Sequence, residues 1–128
     1  MAKDKKEKIT YIDDAYNSNP AGCKAALETL DRFDACKILV TPGMVELGDA
    51  MDYENEQFGR LASKVCDLCV LVGLRQAEPI KRGLLAEGYP EERIAVVNTL
   101  QEGLARVRSF YSEKKKVVLL ENDLPDNY

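Results

Sequence analysis

Short apolar runs recur along this chain, and a stretch with helical spacing separates each run from the next. The runs cover residues 9–13, 37–41, 68–72, 94–97 and 117–120. A strand that leads into a helix cannot turn straight back onto its own edge, so the next strand pairs parallel to it. The run at 68–72 is apolar at every position, as in a strand covered on both faces. The pattern predicts an α/β fold, a mostly parallel sheet of about five to six strands with helices on both faces. Crossovers in such a sheet are right-handed, and functional loops gather at the carboxyl ends of the strands.

The intervening segments carry helix signals of their own. Asn19 followed by Pro20 reads as an N-cap and a first helical residue. Cys23, Ala26, Leu27, Leu30 and Phe33 then fall on one helical face. Phe58, Leu61, Ala62 and Val65 do the same in a second helix. A third spans roughly 76–87, with Ala77, Ile80 and Leu84 inward and Gly88 as its stop. Thr99 and Glu102 form a capping-box pattern for a fourth, whose buried face is Leu100, Leu104, Val107 and Tyr111. No repeat, linker or low-complexity segment interrupts the order. Residues 9–128 read as one domain, and residues 1–8 as a charged, disordered tail.

Composition narrows the function. The 128 residues carry a net charge of −4, so no overall basic field points to nucleic acid or to an anionic membrane. No apolar stretch approaches the ~20 residues that span a bilayer. The charged first residues lack the apolar segment of a secretory signal, so the expected location is the cytoplasm. Cys23, Cys36, Cys66 and Cys69 all sit inside apolar patterns, which predicts reduced, buried thiols. Cys66 and Cys69 have a metal-like spacing, but a zinc site needs two further ligands. The chain contains no histidine, so core packing is the expected role of the pair and no metal is expected. The same absence excludes histidine-based acid–base chemistry and histidine-containing triads. Neither a GxxxxGK[ST] loop nor a GxGxxG fingerprint is present. These residues do not make a self-sufficient enzyme; they suit a domain that completes a site built mainly by another.

Two segments stand out against that background. Tyr11-Ile12-Asp13-Asp14-Ala15-Tyr16-Asn17-Ser18-Asn19-Pro20 runs from the first strand into the first helix. A cap accounts for Asn19 and one aspartate, but not for two adjacent aspartates with Tyr16 and Asn17. Acidic and amide groups at a strand's carboxyl end can hold sugar hydroxyls or a metal–phosphate group. After the second strand comes Pro42-Gly43-Met44-Val45-Glu46-Leu47-Gly48, whose glycines allow tight turns and whose Glu46 is a lone carboxylate near the Asp14 turn.

Together these segments resemble the C-terminal domain of the Mur ligase family. The resemblance rests on Asp13-Asp14-Ala15-Tyr16-Asn17-Ser18-Asn19-Pro20 with Lys24-Ala25-Ala26-Leu27, then Gly43-Met44-Val45-Glu46-Leu47-Gly48, then Val70-Leu71-Val72-Gly73, and it runs from about Thr10 to Leu120. It is strongest to the branch that adds D-alanyl-D-alanine to a UDP-N-acetylmuramoyl tripeptide in peptidoglycan precursor synthesis. Family members have a UDP-sugar-binding domain, an ATPase domain with the phosphate loop, and this Rossmann-like third domain. ATP with Mg2+ phosphorylates a substrate carboxylate, and the amine of an incoming amino acid or dipeptide attacks it. The resemblance implies that Asp14 contacts the ATP ribose. Tyr16, Asn17 and Asn19 complete the nucleotide-facing turn, and Asp13 and Glu46 shape the closed site. It implies no catalytic residue acting in this chain alone. The family's partners for the domain are the other two domains and the amino acid or dipeptide, with no nucleic acid and no membrane.

The chain departs from the branch in three places. Pro42-Gly43 stands where the family has glycine-aspartate, the histidine usual after the second glycine is missing, and the late basic segment is replaced by residues 121–128, which are acidic. An acceptor other than D-alanyl-D-alanine is therefore open, as is a stand-alone binding module with no enzymatic role.

Overall fold

The chain was described from a computed structural model covering residues 2–4, 9–14, 19–44, 48–73 and 77–121. Strands β1 (Ala2–Asp4), β2 (Ile9–Asp14), β3 (Cys36–Thr41), β4 (Leu68–Val72), β5 (Ile94–Val97) and β6 (Lys116–Glu121) form one sheet in the order β1-β2-β6-β3-β4-β5. Every pair from β2 to β5 is parallel, as the alternation of runs and helices requires. The exception is β1, which pairs antiparallel with β2, Ala2 opposite Tyr11 and Asp4 opposite Ile9. Residues 2–4 are thus a short edge strand where the sequence reads as a tail. Strand β2 would otherwise carry an unpaired ladder of N–H and C=O groups, and charged residues beside it suit an edge.

Helices α1 (Pro20–Asp31), α2 (Met51–Ser63) and α3 (Ala77–Ala86) cover one face, and α4 (Leu100–Ser109) covers the other. Alternation along the central strands feeds both cores. In β3, Leu39 joins Leu27, Leu30 and Phe58 under α1 and α2, while Ile38 and Val40 join Val70, Val118 and Val107 under α4. All four cysteines are free and buried, in keeping with a packing role.

The caps sit where the sequence puts them. Asn19 Oδ1 accepts from the N–H of Gly22 at 2.8 Å, with Pro20 in the first turn. Thr99 Oγ1 accepts from the N–H of Glu102 at 3.1 Å. Gly88 takes φ +78° after α3, and the Tyr89 N–H returns to the Leu84 carbonyl. One expectation fails. Helical spacing places Tyr111 on the buried face of α4, but that helix ends at Ser109 and Tyr111 is 80% exposed on the following loop. Phe110 leaves helical geometry at ψ 119°, so the 3.6-residue period no longer applies beyond it.

Candidate functional site

Parallel strands bring the two singled-out segments to one rim. Strand β2 ends at Asp14 and β3 at Thr41, with β6 between them. Register pairs Asp14 with Glu121 and Val40 with Leu120, so the three strand ends stand side by side at the carboxyl edge. Asp13 is exposed one residue before the end of β2, and Asn19 is exposed at the start of α1. Tyr16, Asn17 and Glu46 lie outside the described residues. Asp13, Asp14, Asn19 and the Pro42-Gly43 turn therefore share a rim.

Three buried polar residues support that rim, and none was singled out from the sequence. Thr41 accepts from the Gly43 N–H at 3.0 Å through its Oγ1, which fixes the turn as it leaves β3; Gly43 itself takes φ +85°. Asn55, in the middle of α2, is fully buried. Its Oδ1 accepts from the Met44 N–H at 2.8 Å, and its Nδ2 donates to the carbonyls of Met44 and Met51, both at 2.9 Å. One side chain thereby anchors the chain on either side of residues 45–47. Glu121 is fully buried at the end of β6, where its Oε1 accepts from the Cys23 thiol in α1 at 3.6 Å. A signal for two of them exists in retrospect. Asparagine is a poor residue for a helix interior, and a glutamate directly after four apolar residues is out of place unless it is partnered.

A recess between α1 and α2, bounded by Pro20, Lys24, Met44 and Gln57, measures about 30 Å³. Ligand pockets run to roughly 300–1,000 Å³. Among the described residues no group of three or more His, Cys, Asp or Glu side chains is arranged to hold a metal ion. A larger cleft of about 330 Å³ opens at the opposite, amino-terminal rim among Lys37, Asp67, Arg93 and Lys114, away from Asp13, Asn19, Thr41 and Asn55. Size alone does not make that cleft the site, because in parallel sheets ligand loops follow the strands' carboxyl ends.

Burial pushes the Cys36 thiol up, and a hydrogen bond with Cys69 together with burial pushes Cys66 well up. A raised thiol holds its proton and is a poor nucleophile. No helix among the described residues is long and apolar enough to cross a membrane.

Comparison with known proteins follows the same geometry. The profile of the family described as Mur ligase, glutamate ligase domain, matches residues 2–121. Over 52 residues the chain is 40% identical to the UDP-N-acetylmuramoyl-tripeptide–D-alanyl-D-alanine ligase of Buchnera aphidicola, a match covering 41% of this chain and 11% of that protein. MurF from Acinetobacter baumannii superposes with a TM-score of 0.70 at 27% identity, over 88% of this chain and 24% of that one. MurF ligase from Thermotoga maritima, solved in complex with ADP, shares the fold with a TM-score of 0.68 at 24% identity, over 89% of this chain and 25% of that one. The chain spans about a quarter of the length of the solved structures it matches. With nearly all of its length matched by the profile, and with both signature segments on one rim of the same sheet, this chain belongs to the Mur ligase family as its glutamate ligase domain.

Proposed function

We propose that this chain acts as the C-terminal domain of an ATP-dependent, MurF-like amide ligase of peptidoglycan precursor synthesis, working in the cytoplasm. It closes over the ATPase domain of the same protein and helps position the nucleotide and the incoming amino acid or dipeptide. The observation that carries this reading is the shared carboxyl rim, where the end of β2, the start of α1 and the turn after β3 meet. Closure by a neighbouring domain excludes water from an acyl phosphate, which would otherwise hydrolyse.

In this reading Asp14 receives the ATP ribose. Tyr16, Asn17 and Asn19 form the rest of the nucleotide-facing turn, and Asp13 and Glu46 shape the closed site. The rim fits a sugar better than a phosphate. Exposed Asp13 on this rim can accept hydrogen bonds from sugar hydroxyls and repels a phosphate. ATP brings the phosphoryl group, and Mg2+ comes with that nucleotide, held mainly by the ATPase domain. The ligase activity, its acceptor and the UDP-sugar-binding domain belong to the longer protein.

Titrating this chain with ATP–Mg2+ while recording amide NMR spectra tests the reading. Weak binding is expected, with shifts clustered at residues 14–19. Tight binding, or shifts confined to the amino-terminal rim, would overturn it. Assaying the full-length ligase against a panel of amino acids and dipeptides then identifies the acceptor.

A further inference from the structure

The cleft at the amino-terminal rim lies among the starts of β3, β4 and β5 and the loop that leads into β6. We propose that it binds a small organic anion, with a phosphate or carboxylate held between Arg93 and Lys114 and a planar body resting on Tyr111. Its volume, about 330 Å³, falls at the lower end of the range for ligand pockets. It faces away from the carboxyl rim, so the proposal does not depend on the ligase reading.

The wall holds three cations, Lys37, Arg93 and Lys114, against one carboxylate, Asp67. In a chain of net charge −4, such a local excess runs against the whole molecule's field. Asp67 is tied down, its Oδ2 accepting the Lys37 backbone N–H at 2.9 Å. Lys37 is partly neutralised by Asp31 at 3.3 Å. Lys114 pairs with Asp34 at 2.7 Å, but the two side chains are 62% and 92% exposed. A pair that open is weak and leaves the ammonium available to a competing anion. Arg93 is exposed and, among the described residues, its side chain makes no hydrogen bond or ion pair. A guanidinium is a rigid fork of donors matched to a phosphate or carboxylate.

The remaining wall is ready for a ligand. Ser112 Oγ donates to the Lys114 carbonyl and accepts the Lys114 N–H, both at 3.0 Å, so the loop is shaped before anything binds. Tyr111 is 80% exposed beside these cations, and its hydroxyl donates to Glu113 at 3.4 Å. A ring that open adds nothing to either core, yet it offers a flat apolar surface with a polar tip at the cleft mouth.

Amide NMR titrations of this chain with phenyl phosphate, inorganic phosphate and phenol, each alone, test the proposal. Phenyl phosphate is expected to give saturable shifts at residues 35–37, 93 and 110–114, several-fold tighter than inorganic phosphate, with phenol giving none. Arg93→Gln should weaken phenyl phosphate about tenfold, the effect of losing a charged hydrogen bond. Tyr111→Ala should remove its advantage over inorganic phosphate. Both side chains are exposed, so neither variant threatens the fold. Overturning results are the absence of saturable shifts at this rim, equal affinity for phosphate and phenyl phosphate, or unchanged binding in Arg93→Gln.

Discussion

Met44 leaves the sheet edge buried, with both of its backbone polar groups in need of partners, and Asn55 supplies both while also holding Met51. Replacing it by alanine strands the buried N–H and carbonyl of Met44 at once. Each buried group left without a partner costs about 1–3 kcal/mol. Relaxation will recover part of that, so Asn55→Ala should lose about 2–4 kcal/mol of stability. Urea unfolding checks this, with the midpoint falling and the slope unchanged. Asn55→Asp keeps the acceptor for Met44 but loses the donor to both carbonyls, and should be no better. Sequence reading passed over Asn55 because its partners are backbone groups brought near only by the turn after β3. Asn19 was legible because its partner is three residues away.

Helices α2 and α3 pack through two glycines that the sequence reading left without a role. A Cβ added at Gly83 would overlap the Glu56 carbonyl, and one at Gly59 would overlap the Ile80 carbonyl. Neither obstacle is a flexible side chain, so the helices must separate to accept it. Gly83→Ala should cost about 3 kcal/mol despite its better helix propensity, as read from the thermal midpoint. The same pair of helices is bridged on its surface by Arg82, which contacts Glu56 and Asp52, both at 2.5 Å. The Arg82 hydrogen bond holds the Glu56 carboxyl below its ordinary value of 4.5. A depressed carboxyl stabilises the fold above its unfolded pKa, and that contribution is lost as pH falls through the folded one. Stability measured below about pH 4.5 should therefore fall less steeply in Arg82→Met than in the natural chain. The effect should be small, because the bridge is exposed. Helical spacing foretold the apolar faces of α2 and α3, but a glycine's close approach depends on the partner helix.

The sheet lies between two cores, one under α1, α2 and α3 and the other under α4. Strands β3, β4 and β6 contribute buried side chains to both, so neither layer can melt alone. The chain should unfold in one step, with far-UV circular dichroism and tyrosine fluorescence giving coincident transitions in urea. Separated transitions would mean that α4 and its core open independently. At this scale, the order of apolar runs and helices was enough to give a parallel sheet, and the two motifs pointed to the family. The pairing order β1-β2-β6-β3-β4-β5 was not legible, because it places the last strand between the first two runs.

What the sequence determined by itself was everything governed by neighbours along the chain. This includes the strand and helix alternation, the Asn19 and Thr99 caps, the apolar stripes, and the presence of two polar segments directly after strands. Their physics acts over one to four residues, so the order of residues suffices. Tertiary structure alone decided that β6 inserts between β2 and β3, that residues 2–4 close an edge, and that Tyr111 lies outside the core. It also decided that Thr41, Asn55 and Glu121 support one rim. Each of these outcomes depends on burial and on partners distant in sequence, and a buried polar group acquires its meaning only from the atoms that fold against it.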